Sequence, residues 1–175
     1  TIYNITDGTG RIMLNHDQIV ISHSSWRVND QVAKVNGLVT LGKEEEYLNL
    51  NVVADKVALE TLTDVGITGV VGGRAHIGGT TEAPRVDATI SSDGISYKGY
   101  YVDRVQGDIV YDDGLVRLEN TRLSVGEGNA KVNGQYVVDT GDFDATVKAQ
   151  NLPLDTFTKD MSTPVTGNVD GEVRR

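Results

Sequence analysis

AKVNG stands at residues 33–37 and again at residues 130–134, 97 positions later. Working outward from this pair, residues 10–41 align with residues 107–138 without a gap. Eight of the 32 aligned positions are identical, where average residue usage gives about two. The apolar positions coincide as well, so the repeat reflects a shared pattern of buried and exposed positions. The chain is therefore predicted to contain a repeated structural unit of about 97 residues.

The match resumes after a two-residue length change near Gly42, in a stretch where a surface loop can absorb it. Near the C-terminus, residues 165–171 resemble residues 67–73, which suggests that a further unit opens there. We predict one continuous repeat-built segment over residues 1–175, with units at about 10–106 and 107–175. The second unit is expected to be incomplete, because the sequence would start inside one unit and end inside another.

The dominant period of the sequence is two. Apolar and mostly polar residues alternate in Leu48–Ala54 and in Phe143–Ala149, which places them on opposite faces of extended strands. Clusters such as Asp112-Asp113-Gly114 separate these runs, and Asp and Gly suit the backbone of tight turns. Short strands of about eight residues, each spanning about 26 Å, are expected to pair antiparallel.

Two architectures fit this repeat. One is a string of tandem β-sandwiches, each with two sheets that bury their apolar faces against each other. The other is a single sheet that runs through all the units without linkers. Only three prolines occur and no Pro/Ser/Gly-rich linker separates the copies, which favours the single sheet. The medium-sized aliphatic residues of the apolar face would suit either architecture.

Composition excludes several classes of protein. The net charge is -9 and the pI is near 4.7, which argues against a partner with a phosphate backbone such as nucleic acid. The absence of cysteine excludes disulfides and thiolate zinc sites. No apolar run approaches the roughly 20 residues that a membrane-spanning helix needs.

The sequence offers no catalytic or metal-binding pattern. His16, His23 and His76 are scattered and have no metal-ligand spacing. The Asp residues between positions 139 and 144 lack the length and the final glutamate of a calcium loop. No Ser/His/Asp or paired-carboxylate arrangement has local support. We therefore predict a protein that is not an enzyme and needs no metal or cofactor.

Three stretches carry a resemblance to a known family. Residues 69–88 place glycine-spaced strands before a Gly-Thr turn and a strand that begins with proline. Residues 107–128 and the strand ending in Asn151-Leu152-Pro153-Leu154 follow in order. This succession resembles the TamB and AsmA-like proteins of diderm bacteria and covers nearly the whole chain.

The resemblance implies an all-β fold: an elongated, twisted, mainly antiparallel sheet folded into a half-pipe, or β-taco, whose groove is apolar. It also implies a function. Family members carry phospholipids between the inner and outer membranes, so this chain would be a periplasmic segment of a protein anchored in the inner membrane. Its partners would be phospholipid acyl chains and, for outer-membrane protein assembly, an Omp85-type barrel similar to TamA. The alternative from a different class is a structural stalk or adhesin segment made of tandem β-sandwiches.

The apolar face itself is the candidate site. A sheet with one apolar face and no amphipathic helix to cover it must fold on itself or hold an apolar ligand. The polar outer wall is predicted to include Lys34, Asn36, Lys131, Asn133, Thr146 and Lys148. The residues predicted to line the groove are Ile12, Leu14, Ile19, Ile21, Trp26, Val35, Val39, Leu48, Leu50, Val52, Val86, Ala88, Ile90, Ile109, Tyr111, Val116, Leu118, Val132, Tyr136, Val138, Phe143, Ala145 and Val147.

Overall fold

The computed structural model describes residues 5–28, 31–61, 66–153 and 168–174. Their secondary structure is almost entirely β, with one short 3-10 helix at Leu59–Thr61 after the fourth strand. The strands are β1 (Ile5–Asn15), β2 (Gln18–Val28), β3 (Gln31–Leu41), β4 (Glu46–Ala58), β5 (Ile67–Gly79), β6 (Pro84–Tyr97), β7 (Tyr100–Val102), β8 (Arg104–Asp112), β9 (Leu115–Val125), β10 (Gly128–Val137), β11 (Phe143–Pro153) and β12 (Asn168–Arg174).

All twelve strands belong to one open, twisted sheet in which every pairing is antiparallel. The spatial order follows the chain from β1 to β12, except that the short β7 pairs only with β6. The substantial contacts of each described strand are with its neighbours in the sheet, except that β5 also contacts the 3-10 helix and β7 also contacts β9. No second layer packs on the sheet within the described residues. The predicted all-β sheet is confirmed and is consistent with a half-pipe, whereas the alternative of tandem β-sandwiches is wrong.

Most strands are longer than the eight residues expected from the sequence, although β7 has three residues and β12 has seven. β4 and β5 have 13 residues each and β6 has 14. At about 3.3 Å per residue, β6 spans about 46 Å. The estimate was too short because the strict alternation of apolar and polar residues stops at irregular positions, although the strand itself continues.

Those irregular positions are β-bulges. Register shifts occur in β2 between Ile21 and Ser24 and in β9, where Leu118 and Thr121 face β10 residues only two apart. Each contains a non-glycine residue in the left-handed region: His23 has φ 52° and Asn120 has φ 52°. Asn and His tolerate this conformation better than most residues. A bulge bends its strand and increases the local twist, which an open sheet needs in order to curve.

Fully buried apolar side chains are concentrated near one end of β9, β10 and β11. Val125, Ala130 and Leu152 are each less than a tenth exposed and form one cluster. Val102 of β7 and Leu123 of β9 pack against it. Among the described residues, Val105 and Val110 of β8 are the other apolar residues less than a tenth exposed, and most of the remaining apolar side chains stay partly in contact with solvent.

Candidate functional site

The predicted groove residues, apart from Val138, share one face of the sheet, as the strand register demonstrates. Residues directly opposite each other on antiparallel strands project to the same side. One row runs across ten strands in this way, and it contains, in spatial order, Ile12, Ile21, Gly37, Leu50, Ile77, Val86, Tyr111, Val116, Tyr136 and Phe143. We call the side to which this row projects the apolar face and the other side the outer face.

A second row on the apolar face lies beside the first, two residues away along most of the strands. It consists of Ser24, Val35, Val52, Ala75, Ala88, Ile109, Leu118, Gly134 and Ala145. A shorter row joins Leu14, Ile19, Val39 and Leu48. The rows leave few interruptions, because small or aliphatic side chains occupy nearly every position between β2 and β11.

The remaining predicted residues fall beside these rows, with one exception. Trp26 lies on the apolar face, where its Nε1–H donates a hydrogen bond of 3.1 Å to Ser24 Oγ. Ile90 is two positions beyond Ala88 on β6, and Val132 lies opposite Val147. Val138 is different: β10 ends at Val137, and Val138 lies in the following turn, where its N–H donates to the Gly114 carbonyl.

The apolar face is open to solvent. None of the predicted lining residues is fully buried, and most are half-buried. Leu14 is 72% exposed, Ile12 59% and Phe143 58%. Such values are unusual for large apolar side chains in a row, because a continuous exposed apolar patch is costly in water and commonly marks an interaction site. The openness follows from the single-layer architecture.

Two shallow apolar hollows lie on this face. The first has a volume of about 180 Å³ and is lined by residues of β4, β5 and β6, including Val52, Ala88 and Ile90. The second has a volume of about 160 Å³ and lies between β9, β10 and β11, with Leu118 and Phe143 in its lining. Glycines and alanines contribute to both hollows, so the missing side-chain volume creates the space.

Several residues of the apolar face were not predicted from the sequence. Ile77 and Ala75 of β5 stand in the two long rows, and Val71 lies opposite Val57. The alternation of apolar and polar residues in Ala75-His76-Ile77 is a signal that could have placed Ala75 and Ile77 on the apolar face. Val57 follows the bulge between Ala54 and Val57 in β4, which reverses the phase of the pattern.

Most side chains of the outer face are polar, although Met13, Val20 and Leu38 form an apolar row on it across β1 to β3. The residues predicted for the outer face lie there. Lys34, Asn36, Lys131, Asn133 and Lys148 are exposed, while Thr146 is half-buried opposite Asn133. Asn36 stands opposite Asn51, and Lys34 opposite Val53. These placements follow from strict alternation within β3, β10 and β11, which contain no bulge between these residues and their apolar neighbours.

A cluster of charged residues on the outer face centres on Arg85. Its Nε and Nη2 donate to the two carboxylate oxygens of Asp87 at 3.0 Å each, and its Nη1 donates to Asp112 Oδ2 at 3.1 Å. The hydrogen bonds from Arg85, assisted by its charge, lower the pKa of the Asp87 carboxyl. The cluster is exposed to solvent and links β6 to β8.

The described residues contain no group of three or more His, Cys, Asp or Glu that could hold a metal ion. In the same part of the chain, no helix is long and apolar enough to cross a bilayer. The absence of an enzymatic activity and of a cofactor stays a prediction.

Comparisons with known proteins do not identify a relative. No family model matches the sequence, no curated protein matches it, and no solved structure matches the fold. The resemblance to the TamB and AsmA-like proteins therefore stays a prediction, and the open apolar face is the principal basis for a functional proposal.

Proposed function

We propose that this chain is a segment of a periplasm-spanning protein that carries phospholipids between the inner and outer membranes along its apolar face. One observation carries the proposal: an apolar surface continues across β1 to β11 of a single-layer sheet and is not covered by a second layer of the described residues. Exposed apolar surface on this scale needs a covering ligand or partner. Acyl chains would cover it while the headgroups stay in water.

The chemistry of the face suits a passage better than a specific pocket. Its rows consist mainly of Val, Ile, Leu, Ala and Gly, which offer no directional hydrogen bonds to select one lipid. The polar groups among them are the hydroxyls of Tyr111 and Tyr136 and that of Ser24, which donates a hydrogen bond to the Val35 carbonyl. An acyl chain could therefore move from one row to the next without losing a specific contact.

The test is photo-crosslinking of the 175-residue chain to a phospholipid that has a photoactivatable group in its acyl chain. We expect adducts on the apolar face, located by mass spectrometry of the peptides. Leu50→Asp and Val147→Asp place a charge on this face and should reduce labelling strongly, because a carboxylate must be desolvated by the acyl chain. The matched controls Asn51→Asp and Thr146→Asp add the same charge to the outer face and should label normally.

Circular dichroism of each variant establishes that it is folded, and the two sites provide independent variants if one does not fold. Labelling that is equal in the folded apolar-face and outer-face variants would exclude the groove. In the longer protein, the same pair of apolar-face variants should block lipid passage. A contribution to outer-membrane protein assembly through an Omp85-type barrel stays a prediction of the family resemblance.

A further inference from the structure

Three cationic side chains form a row on the outer face, across β9, β10 and β11. Arg122 lies opposite Lys131, and Lys131 lies opposite Lys148. All three residues are exposed. Like charges directly opposite each other destabilise an antiparallel pair. Such a row is unexpected in a chain whose net charge is -9. Carboxylates are abundant in this chain and could have been placed between the cations.

Two of the three cations in this row have no ion-pair partner among the described carboxylates. In the described part of the chain, neither Arg122 nor Lys131 forms an ion pair with an acidic side chain. Gln106 lies opposite Arg122 on β8, and Glu172 lies opposite Lys148 on β12. Arg122 and Lys131 therefore contribute two positive charges that no carboxylate of the described residues pairs with.

A hollow of about 390 Å³ opens between this row and a parallel row of neutral polar residues. The second row consists of Ser124, Asn129 and Gln150, which lie opposite one another on the same three strands. The hollow is thus lined by cationic donors on one side and by hydroxyl and amide groups on the other. This combination suits a phosphate group, whose oxygens accept charge-assisted and neutral hydrogen bonds together.

The first repeat unit provides an internal comparison. Lys34 precedes Lys131 by 97 positions, but Ser25 and Val53 lie opposite it where the second unit has Arg122 and Lys148. Lys34 Nζ also lies 3.9 Å from Asp55 Oδ2. The same position of the sheet is therefore occupied by a single, partly compensated cation, so the fold does not require three.

We propose that Arg122, Lys131 and Lys148 form a binding site for a phosphate group on the outer face. The phosphate belongs either to a soluble phosphorylated molecule or to a lipid headgroup at a membrane surface, since both present the same acceptor oxygens. The site lies on the opposite side of the sheet from the apolar rows. Its existence is therefore independent of lipid passage along the apolar face.

The test uses the 175-residue chain in two titrations at low ionic strength. Pyrophosphate is the soluble probe, followed through the backbone amide signals by NMR. Vesicles of phosphatidylglycerol, with phosphatidylcholine vesicles as the neutral reference, are the membrane probe in a sedimentation assay. We expect saturable binding in at least one titration, and it should weaken at high salt because the contacts are ionic and exposed.

The variants separate a built site from general charge. Lys131→Ala should weaken binding about tenfold, the effect of losing one charge-assisted contact. The matched variant Lys34→Ala removes the same charge from the equivalent position and should leave binding within about twofold. Arg122→Ser and Lys148→Val install the residues that the first unit carries in the same places, so these substitutions suit the strand and should also weaken binding.

The two titrations also identify the source of the phosphate. Binding of pyrophosphate without binding of anionic vesicles assigns a soluble ligand, while vesicle binding that pyrophosphate displaces assigns a lipid headgroup. The proposal is overturned if the wild-type chain binds neither probe saturably. It is also overturned if folded Lys34→Ala and Lys131→Ala lose binding equally.

Discussion

The side chain of Asn133 supports the backbone of Asn120 on the neighbouring strand: Asn133 Oδ1 accepts a hydrogen bond of 3.0 Å from the Asn120 N–H. Asn120 has φ 52° and lies in the bulge of β9, where the regular ladder is interrupted. The equivalent pair 97 positions earlier makes the same contact: Asn36 Oδ1 accepts a hydrogen bond of 2.7 Å from the His23 N–H. The asparagine of AKVNG therefore satisfies the amide that a bulge leaves unpaired.

Removal of this amide acceptor should destabilise both bulges. We expect Asn36→Ala and Asn133→Ala each to lower the free energy of unfolding by about 1 kcal/mol, the usual net contribution of one hydrogen bond. Urea denaturation measures the change, and amide hydrogen exchange should accelerate at His23 or Asn120 respectively. Asn51→Ala, on the same face but without a bulge to support, should change the stability by less than about 0.5 kcal/mol. Unchanged exchange at both bulge amides would contradict this role.

A glycine opposite each bulge should be irreplaceable. A Cβ atom at Gly107 would lie 2.9 Å from Thr121 Cα, and one at Gly10 would lie 2.8 Å from Ser24 Cα. Since the obstruction includes the Thr121 backbone as well as its side chain, Gly107→Ala should lower the free energy of unfolding by about 1–3 kcal/mol through overpacking.

Gly78→Ala is the control for this prediction. The nearest atom to a Cβ there is His76 Nε2 at 3.5 Å, an ordinary contact, so stability should be unchanged or slightly increased. Thermal and urea unfolding of the variants provide the measurement. A Gly107→Ala protein as stable as Gly78→Ala would mean that the bulge of β9 can move away.

Protonation of Asp87 should release Arg85. The hydrogen bonds from Arg85 lower the pKa of the folded-state carboxyl below its ordinary value of 3.8. The folded protein therefore binds this proton less readily than the unfolded chain. The pairing contributes stability above the ordinary pKa and loses it as the pH falls through the lowered one.

An NMR titration of the Asp87 carboxyl measures this shift. In Arg85→Gln the midpoint should rise toward the ordinary value, and the pH dependence of stability in the acid range should weaken. Asp112 provides a second variant, since Asp112→Asn leaves the two Arg85–Asp87 hydrogen bonds in place and should retain a lowered midpoint. An Asp87 midpoint that Arg85→Gln leaves unchanged would contradict the assignment.

Two adjacent residues of β1 allow the proposed function to be tested without disturbing the core. Leu14 belongs to the apolar face and is 72% exposed, while its neighbour Met13 projects to the outer face and is 48% exposed. Leu14→Ser should weaken binding of a fluorescent fatty-acid analogue about fivefold, because roughly 1 kcal/mol of apolar contact is lost. Met13→Ser should have little effect. Equal affinities in the two variants would argue against acyl chains reaching β1.

The sequence predicted the apolar face better than it predicted the strands that form it. Leu50 and Val52 alternate cleanly with polar neighbours, and the register places them in the two long rows. Val57 could not be assigned in the same way, because the bulge that precedes it reverses the phase of the pattern. A bulge depends on the partner strand as well as on its own residues, so local periodicity does not locate it.

The sequence by itself determined that the protein is built from β-strands with one apolar side and that its pattern recurs after 97 positions, since alternation and self-similarity are properties of the chain. The tertiary structure alone decided that these strands form one sheet, with no facing layer among the residues that the structure describes. It also decided that Arg122, Lys131 and Lys148 stand side by side. Both features depend on cross-strand register, which joins residues distant in sequence and is fixed by the bulges and turns together.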